Sequence, residues 1–314
     1  MSEPLTREED YRQRRRFAGG LVGIWTATLD PLQVPRALEV ARQIEEQGFG
    51  ALWLPGDAGR DALVAASSYL AATERLTIGT GVASIYARDA RSVASGRRAL
   101  WELYGDRYVL GLGVSHQSFV ARRGQSFGPP IPAMTAYLTD IAHQPERQQV
   151  PDSALTILGA LGPKMLQLAR TDAGGALTYN ATVAHTRRAR AALGAHSFLA
   201  VTQPAIMADT DGEAREIART YLRFYLGLPN YVQHFTRLGF TDDDFEGNGS
   251  DRLIDELFAQ GVGGIRTRVA AQLDAGADHV AINLLAADRD SPPVEGWQQL
   301  RTAVDEFIPQ KASR

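Results

Sequence analysis

The chain has 314 residues, 44% hydrophobic and 22% charged, with a formal net charge of −3 and a pI near 6.1. That length suits one large α/β domain or two average ones, and the charge leaves no basic stripe for nucleic acid or an anionic membrane. Cysteine is absent and no apolar run approaches the ~20 residues of a membrane helix, which removes thiol catalysis, disulfides, Cys-ligated metals and a spanning segment.

Residues 1–18 form a polar lead with Arg14-Arg15-Arg16, read as a solvated tail. Its start is acidic and polar rather than signal-like, so the expected location is the cytoplasm. From there, strand-like and helix-like segments alternate, as in parallel βαβ units. The strand candidates are Leu21–Trp25, Ala51–Leu54, Leu76–Ile78, Tyr108–Leu110, Leu155–Leu158, Gly175–Thr178, Leu199–Ile206 and His279–Leu285. Between the first two, Ala37, Val40, Ala41 and Ile44 fall on one helical stripe, and Gly48 follows as a C-cap. Ile217, Tyr221, Phe224, Tyr225 and Leu228 make a broader stripe, opened by Thr210 and Glu213 at capping-box spacing. Pro229–Gly261 breaks the rhythm with an acidic run and Gly247-Asn248-Gly249; it reads as an insertion between strands seven and eight, helical in part. Ile265, Val269, Leu273 and Gly276 then restore the helix-to-strand junction before the last strand.

One internal repeat points to a barrel. Glu74-Arg75, a strand, then Gly79-x-Gly81-Val82 recurs 32 residues later as Asp106-Arg107, a strand, then Gly111-x-Gly113-Val114. A βα unit of a (β/α)8 barrel is about this long, since roughly 250 residues make eight of them. The expected architecture is therefore a single (β/α)8 TIM barrel, 1–314, carrying the 229–261 insertion, with its site at the carboxyl ends of the strands.

Three groups of residues there could carry chemistry. The two Gly-x-Gly turns could let a cofactor touch the backbone, or could be tight turns and nothing more. Gly159-Ala160-Leu161-Gly162-Pro163-Lys164 follows the fifth strand and opens a helix, and its amides and Lys164 would suit a phosphate. His116 beside Ser115 follows the fourth strand and could exchange a proton near neutral pH. Asp57, Tyr86, Arg88, Asp89, Tyr179 and Asn180 are further strand-end polar groups, Trp25 is placed to line a ring system, and His279 opens its strand at the opposite end and reads as structural. The six histidines lack a metal-ligand spacing, so no metal is expected. Neither a Gly-x-Ser-x-Gly elbow nor a P-loop lysine motif occurs.

Gly48–Pro55, Glu74–Val82, Arg107–His116, Gly159–Met165 and Ala275–Val280 together resemble the luciferase-like monooxygenase superfamily, especially its coenzyme F420-dependent oxidoreductase branch of actinobacterial type. The resemblance implies a (β/α)8 barrel with an insertion, often a homodimer, and an oxidoreductase acting on a small-molecule substrate. The cofactor would be F420, with FMN in a monooxygenase as the alternative, and a catalytically silent cofactor-binding barrel as a third reading. It further implies a non-proline cis peptide at Gly81-Val82 or Val82-Ala83, forming a bulge behind a tricyclic ring. Cofactor contacts carried over are Trp25, Gly81, Val82, Ala83, Gly111, Gly113, Ser115, Gly159, Ala160, Leu161, Gly162 and Lys164. His116 corresponds to a polar residue near the reactive ring. Where many relatives keep an acid–His pair after the second strand, this chain has Pro55-Gly56-Asp57, which leaves Asp57 as the second catalytic candidate.

Overall fold

The computed structural model describes residues 17–56, 59–144, 150–151, 155–289 and 291–308. Eight parallel strands close on themselves: β1 (Val22–Trp25), β2 (Ala51–Gly56), β3 (Thr77–Ser84), β4 (Tyr108–Gly113), β5 (Thr156–Gly159), β6 (Gly175–Tyr179), β7 (Phe198–Ile206) and β9 (His279–Leu285). Each pairs with the next around the ring, and β9 closes it by pairing with both β7 and β1. This is a (β/α)8 TIM barrel. The two-residue β8 (Ala259–Gln260), which the periodicity did not signal, extends the ring where β6 runs out, pairing with Ala205 and Ile206 of β7.

Alternation decides which side chains fill the barrel. Trp25, Ala51, Trp53, Val109, Ile157, Leu177, Ala200 and Ala281 form one buried cluster inside the ring. The large residues need small neighbours: a Cβ on Gly79 would lie 2.4 Å from the Trp53 ring, so glycine stands there for packing. The intervening residues, among them Val22, Ile24, Leu52, Ile78, Leu110 and Val280, face outward and join the core under the helices. Helix α1 (Val34–Glu46) buries Ala37, Val40, Ala41 and Ile44 there, the stripe its sequence predicts. Gly48 beyond it has φ +92°, a conformation that L side chains rarely adopt.

The amino-terminal end of the barrel is tied by polar side chains. Glu45 accepts hydrogen bonds from the backbone N–H groups of Glu74, Arg75 and Leu76, at 3.0, 2.6 and 2.9 Å. Arg107 reaches the carbonyls of Leu70, Thr73, Glu74 and Leu76 from the next unit. The repeated acid–Arg pair thus sits on the structural face of the barrel. His279 is fixed there too. Its Nδ1–H donates to the Gly20 carbonyl at 2.7 Å while Nε2 accepts from Trp53 Nε1–H at 3.0 Å.

Between β7 and β9 the chain builds a second, smaller core. Helices α8 (Asp211–Leu226), α9 (Pro229–Leu238) and α10 (Asp251–Leu257) bury Tyr221, Leu222, Tyr231, Phe235, Leu253 and Leu257 together. Thr210 caps α8 by accepting from Glu213 N–H at 3.2 Å, but the Glu213 carboxylate turns back to Asp209 N–H rather than to the cap residue. Within the insertion Asp244 gathers bonds from Thr241, Ser250 and Arg252, and these partners hold its carboxyl well below the usual range. This layer lies over one side of the barrel mouth. No helix among the described residues is long and apolar enough to cross a membrane.

Candidate active site

At the carboxyl end of the barrel β3 changes course. The peptide Gly81-Val82 is cis, one of the two positions the family resemblance implied. The β2–β3 register shifts between Leu54 and Gly56, and the β3–β4 register shifts between Gly79 and Ala83. Val82 is the one residue of β3 that is not fully buried.

The glycines around it prove to be crowded. A Cβ on Gly113 would stand 2.4 Å from Val82 Cγ2, and one on Gly159 3.2 Å from the same atom. A Cβ on Gly111 would meet the Thr80 carbonyl at 1.9 Å, and one on Gly81 would meet Trp25 Nε1 at 2.9 Å. A side chain at any of these glycines would therefore meet protein atoms. Gly56 is constrained in the same way, since a Cβ there would lie 2.2 Å from the Val82 carbonyl. Asp57 itself lies outside the described residues.

An open cleft of about 330 Å³ lies beside this bulge, toward β1, β9 and α8. Trp25, Tyr179, Tyr221, Tyr225 and Asn283 line it, with Glu213 and Glu216 among the residues at its α8 wall. Trp25 Nε1–H donates to the Gly81 carbonyl at 2.8 Å, and its ring meets Tyr179 edge-on at 5.1 Å. Tyr179 Oη is a hub. Tyr225 Oη at 3.1 Å and Asn283 Nδ2 at 3.3 Å donate to it, and it donates in turn to Tyr221 Oη at 3.0 Å. The one hydroxyl proton of Tyr221 goes to Asn180 Oδ1 at 2.9 Å, and Asn180 holds φ +52° at the strand end. Burial raises the pKa of Tyr179 and of Tyr221 well above that of an ordinary phenol, so both stay protonated at neutral pH.

Tyr179, Asn180 and Trp25 were legible as strand-end groups; Tyr221, Tyr225 and Asn283 were not. The two α8 tyrosines sat within an apolar stripe, and the signal missed was a pair of hydroxyls spaced i, i+4 on one helix face. The other strand-end groups are engaged elsewhere. Arg88 pairs with Asp61 at 2.7 Å, Asp89 caps α3 (Ala90–Tyr104), and Tyr86 Oη accepts from Gly128 N–H. His116 stands outside the cleft, in the cap position of α4 (Gln117–Arg122), beside Phe119 and 6.1 Å from the Tyr231 ring. Ser115 before it is half-buried with φ +59°. Ala83 is buried beneath the bulge.

The Gly159–Lys164 loop forms a second feature, on the β5–β6 side. Gly162 is the cap residue of α6 (Pro163–Asp172) and no side chain caps that helix, leaving its first amides available to an anion. Arg237 of α9 reaches over it, with Nη2 3.9 Å from the place of a Gly162 Cβ, and Lys164 is exposed alongside. Ala160 is buried, and the Leu161 carbonyl accepts from His185 Nε2 at 2.9 Å. His185 packs edge-on against His234 at 4.6 Å. His185 Nδ1 and His234 Nε2 are buried with no partner among the described residues. Burial, then the neighbouring imidazole and Arg237, bring the His234 pKa down to about 3. Among the described residues no group of three or more His, Cys, Asp and Glu converges as a metal site would need.

Comparison with known proteins agrees with this architecture. A 5,10-methylenetetrahydromethanopterin reductase of Methanolobus tindarius is 28% identical over 173 residues, which cover 49% of this chain and 52% of the relative. The chain thus aligns with only about half of that relative's length. The coenzyme F420-dependent tetrahydromethanopterin reductase of Methanopyrus kandleri superposes with a TM-score of 0.71 at 15% identity, over 92% of this chain and 98% of that one. The FMN-bound oxygenating constituent of 3,6-diketocamphane monooxygenase from Pseudomonas putida superposes at 0.65 and 12% identity, over 92% and 97%. Both structural likenesses speak to the fold. The luciferase-like monooxygenase family matches residues 22–307, and the chain belongs to that family of enzymes.

Proposed function

We propose that this protein is a coenzyme F420-dependent oxidoreductase acting on a small organic substrate. The observation that carries the reading is the uncapped amino terminus of α6 under Arg237, close to a bulged strand end and an aromatic cleft. A phosphate at Gly162 would find free amides, the positive helix end and two cations, Arg237 and Lys164. Val82 and Trp25 offer the flat apolar surface that a tricyclic ring needs. The bound deazaflavin would supply two-electron hydride chemistry; the chain supplies orientation and exclusion of water. His116 and Asp57, which follow the strands on either side of the bulged one, are carried into this reading, and the cleft is left to the substrate.

Titration of the apo-protein with F420 and with FMN, followed by fluorescence, tests the proposal. Micromolar binding of F420 is expected. Binding of FMN alone would assign the chain to the flavin monooxygenases instead, and binding of neither would leave a silent barrel. Arg237→Ala should weaken F420 binding about tenfold or more, the worth of one charge-assisted hydrogen bond, without lowering the melting temperature, because the side chain is exposed. Unchanged affinity would remove Arg237 from the site.

The homodimer belongs to the same proposal. Val34 of α1 and Val64 of α2 (Ala62–Ala72) are 49% and 59% exposed and flank an apolar groove of about 170 Å³ between the two helices. A helix as evenly apolar as α2 is ordinarily covered. Sedimentation should show a dimer that Val64→Glu dissociates; a monomeric wild type rejects it.

A further inference from the structure

The tyrosines and Asn283 on the cleft floor use their protons on one another, and what they leave open says what the cleft accepts. Tyr225 Oη–H donates to Tyr179, Tyr179 to Tyr221 and Tyr221 to Asn180 Oδ1, at 3.1, 3.0 and 2.9 Å. Asn283 Nδ2 donates to the oxygens of Tyr179 and Tyr221 at 3.3 and 3.4 Å. Tyr179 and Tyr221 are thereby complete, each giving one bond and receiving two, the full capacity of a hydroxyl. Asn180, where the run of protons ends, does not line the cleft. What stays open in this network is acceptor capacity: Tyr225 Oη and Asn283 Oδ1 receive no bond from a described residue.

The walls have the same preference. Trp25, Tyr179, Tyr225 and Tyr221 form a continuous run of rings along the cleft, with successive centroids 5.1, 5.7 and 4.7 Å apart. An aromatic face is negative and attracts a cation, most strongly where water is displaced. Among the described charged side chains that line the cleft, Glu213, Glu216 and Asp288 are acidic and Arg289 is basic. Glu216 has no hydrogen-bond or ion-pair partner among the described residues, so its carboxylate is available to a ligand.

We infer that the cleft takes a small protonated organic amine. Its charge rests against the Trp25 and tyrosine rings and beside Glu216, and its N–H is directed to the open oxygens of Tyr225 and Asn283. The volume of about 330 Å³ is that of a small-molecule pocket. A ligand that brings only acceptors would meet a network whose protons are already engaged, and a hydrocarbon would desolvate two acceptors without pairing them. An anion would face three carboxylates against one guanidinium. A neutral N–H or O–H donor satisfies the oxygens but gains nothing from the rings or from Glu216. This deepens the oxidoreductase reading by naming the class of its substrate, and rests on that reading for any role in turnover.

The binding part can be tested without cofactor. N,N-dimethylbenzylamine, isobutylbenzene and phenylacetate share one shape, a benzyl group with a forked head, and at neutral pH are cationic, neutral and anionic. Titrated into the wild-type apo-protein and followed by ligand-observed NMR, the amine should bind about tenfold more tightly than isobutylbenzene, as a cation–π contact with a hydrogen bond implies. Phenylacetate should bind most weakly. Glu216→Gln, a change at an exposed position, should weaken the amine about two- to fivefold, the worth of one exposed ion pair, and leave isobutylbenzene affinity and the melting temperature unchanged. Equal affinities for amine and hydrocarbon, tightest binding of phenylacetate, no binding of the amine, or an unchanged amine affinity in the Glu216→Gln protein would each overturn the inference. Failure of F420 to bind would instead defeat the cofactor reading and leave this result standing.

Discussion

Between pH 7 and pH 4 the folded protein is expected to lose about 3 kcal/mol of stability through His279 alone. Burial lowers this imidazole's pKa from 6.5 to about 4, the Gly20 carbonyl opposing the shift only in part. The reason is geometric. His279 is fully buried, donates through Nδ1 and accepts the Trp53 indole proton at Nε2, so a second proton would have to displace that bond. Because the folded-state pKa is depressed, the neutral ring's contribution is complete above about 6.5. It falls as the pH drops from there toward 4, where the unfolded chain binds a proton that the folded chain refuses. His234, depressed to about 3, extends the loss to lower pH, since the groups facing it include His185 and Arg237 and all oppose protonation. Urea denaturation from pH 8 to pH 4 measures the slope. His279→Asn should be less stable at pH 8 by about 2–3 kcal/mol, having lost one of two buried hydrogen bonds and some packing, and its acid limb should be flatter. If wild type and variant lose stability in parallel, His279 is not the neutral strut that the geometry describes.

The difference between what could and could not be read in advance has a simple physical source. Apolar periodicity reports burial against a neighbour, so the α1 stripe and the outward residues of the strands were visible one segment at a time. Strand ends were not. The pattern predicts β3 over Leu76–Ile78 and β4 over Tyr108–Leu110, whereas the ladders run on to Ser84 and Gly113. Those extensions are glycine-rich, and glycine in a strand marks either a turn or a close approach of neighbouring backbones. Here it marks the approach. The cleft was hidden for a related reason: its tyrosines and Asn283 come from β6, α8 and β9, and only the closed barrel brings them within 3.4 Å of one another. A local pattern cannot show a hydrogen bond spanning 104 residues, such as Asn283 to Tyr179.

The crowding at β4 yields the second large effect, and a double-mutant cycle is its measure. Gly113→Ala places a methyl 2.4 Å from Val82 Cγ2, an overlap that must move the bulge or the strand. Overpacking of this kind costs about 1–3 kcal/mol. Val82→Ala removes the opposing methyl groups, so the double variant should recover 1 kcal/mol or more relative to the sum of the singles, a coupling that contacting residues show and distant ones do not. Gly111→Ala is the control. Its Cβ would strike the Thr80 carbonyl, a backbone atom, at 1.9 Å, in a stretch where Thr80 Oγ1 also bonds both Gly111 N–H and O. No side-chain truncation relieves that contact, so the loss should exceed ~3 kcal/mol with or without Val82. Had these glycines served to admit a cofactor to bare backbone, Gly113→Ala would leave the apo-protein's stability unchanged and act only on cofactor affinity. Coupling to Val82 in the apo-protein therefore separates the two uses of glycine at this strand end: the glycines shape the bulge, and the bulge presents Val82.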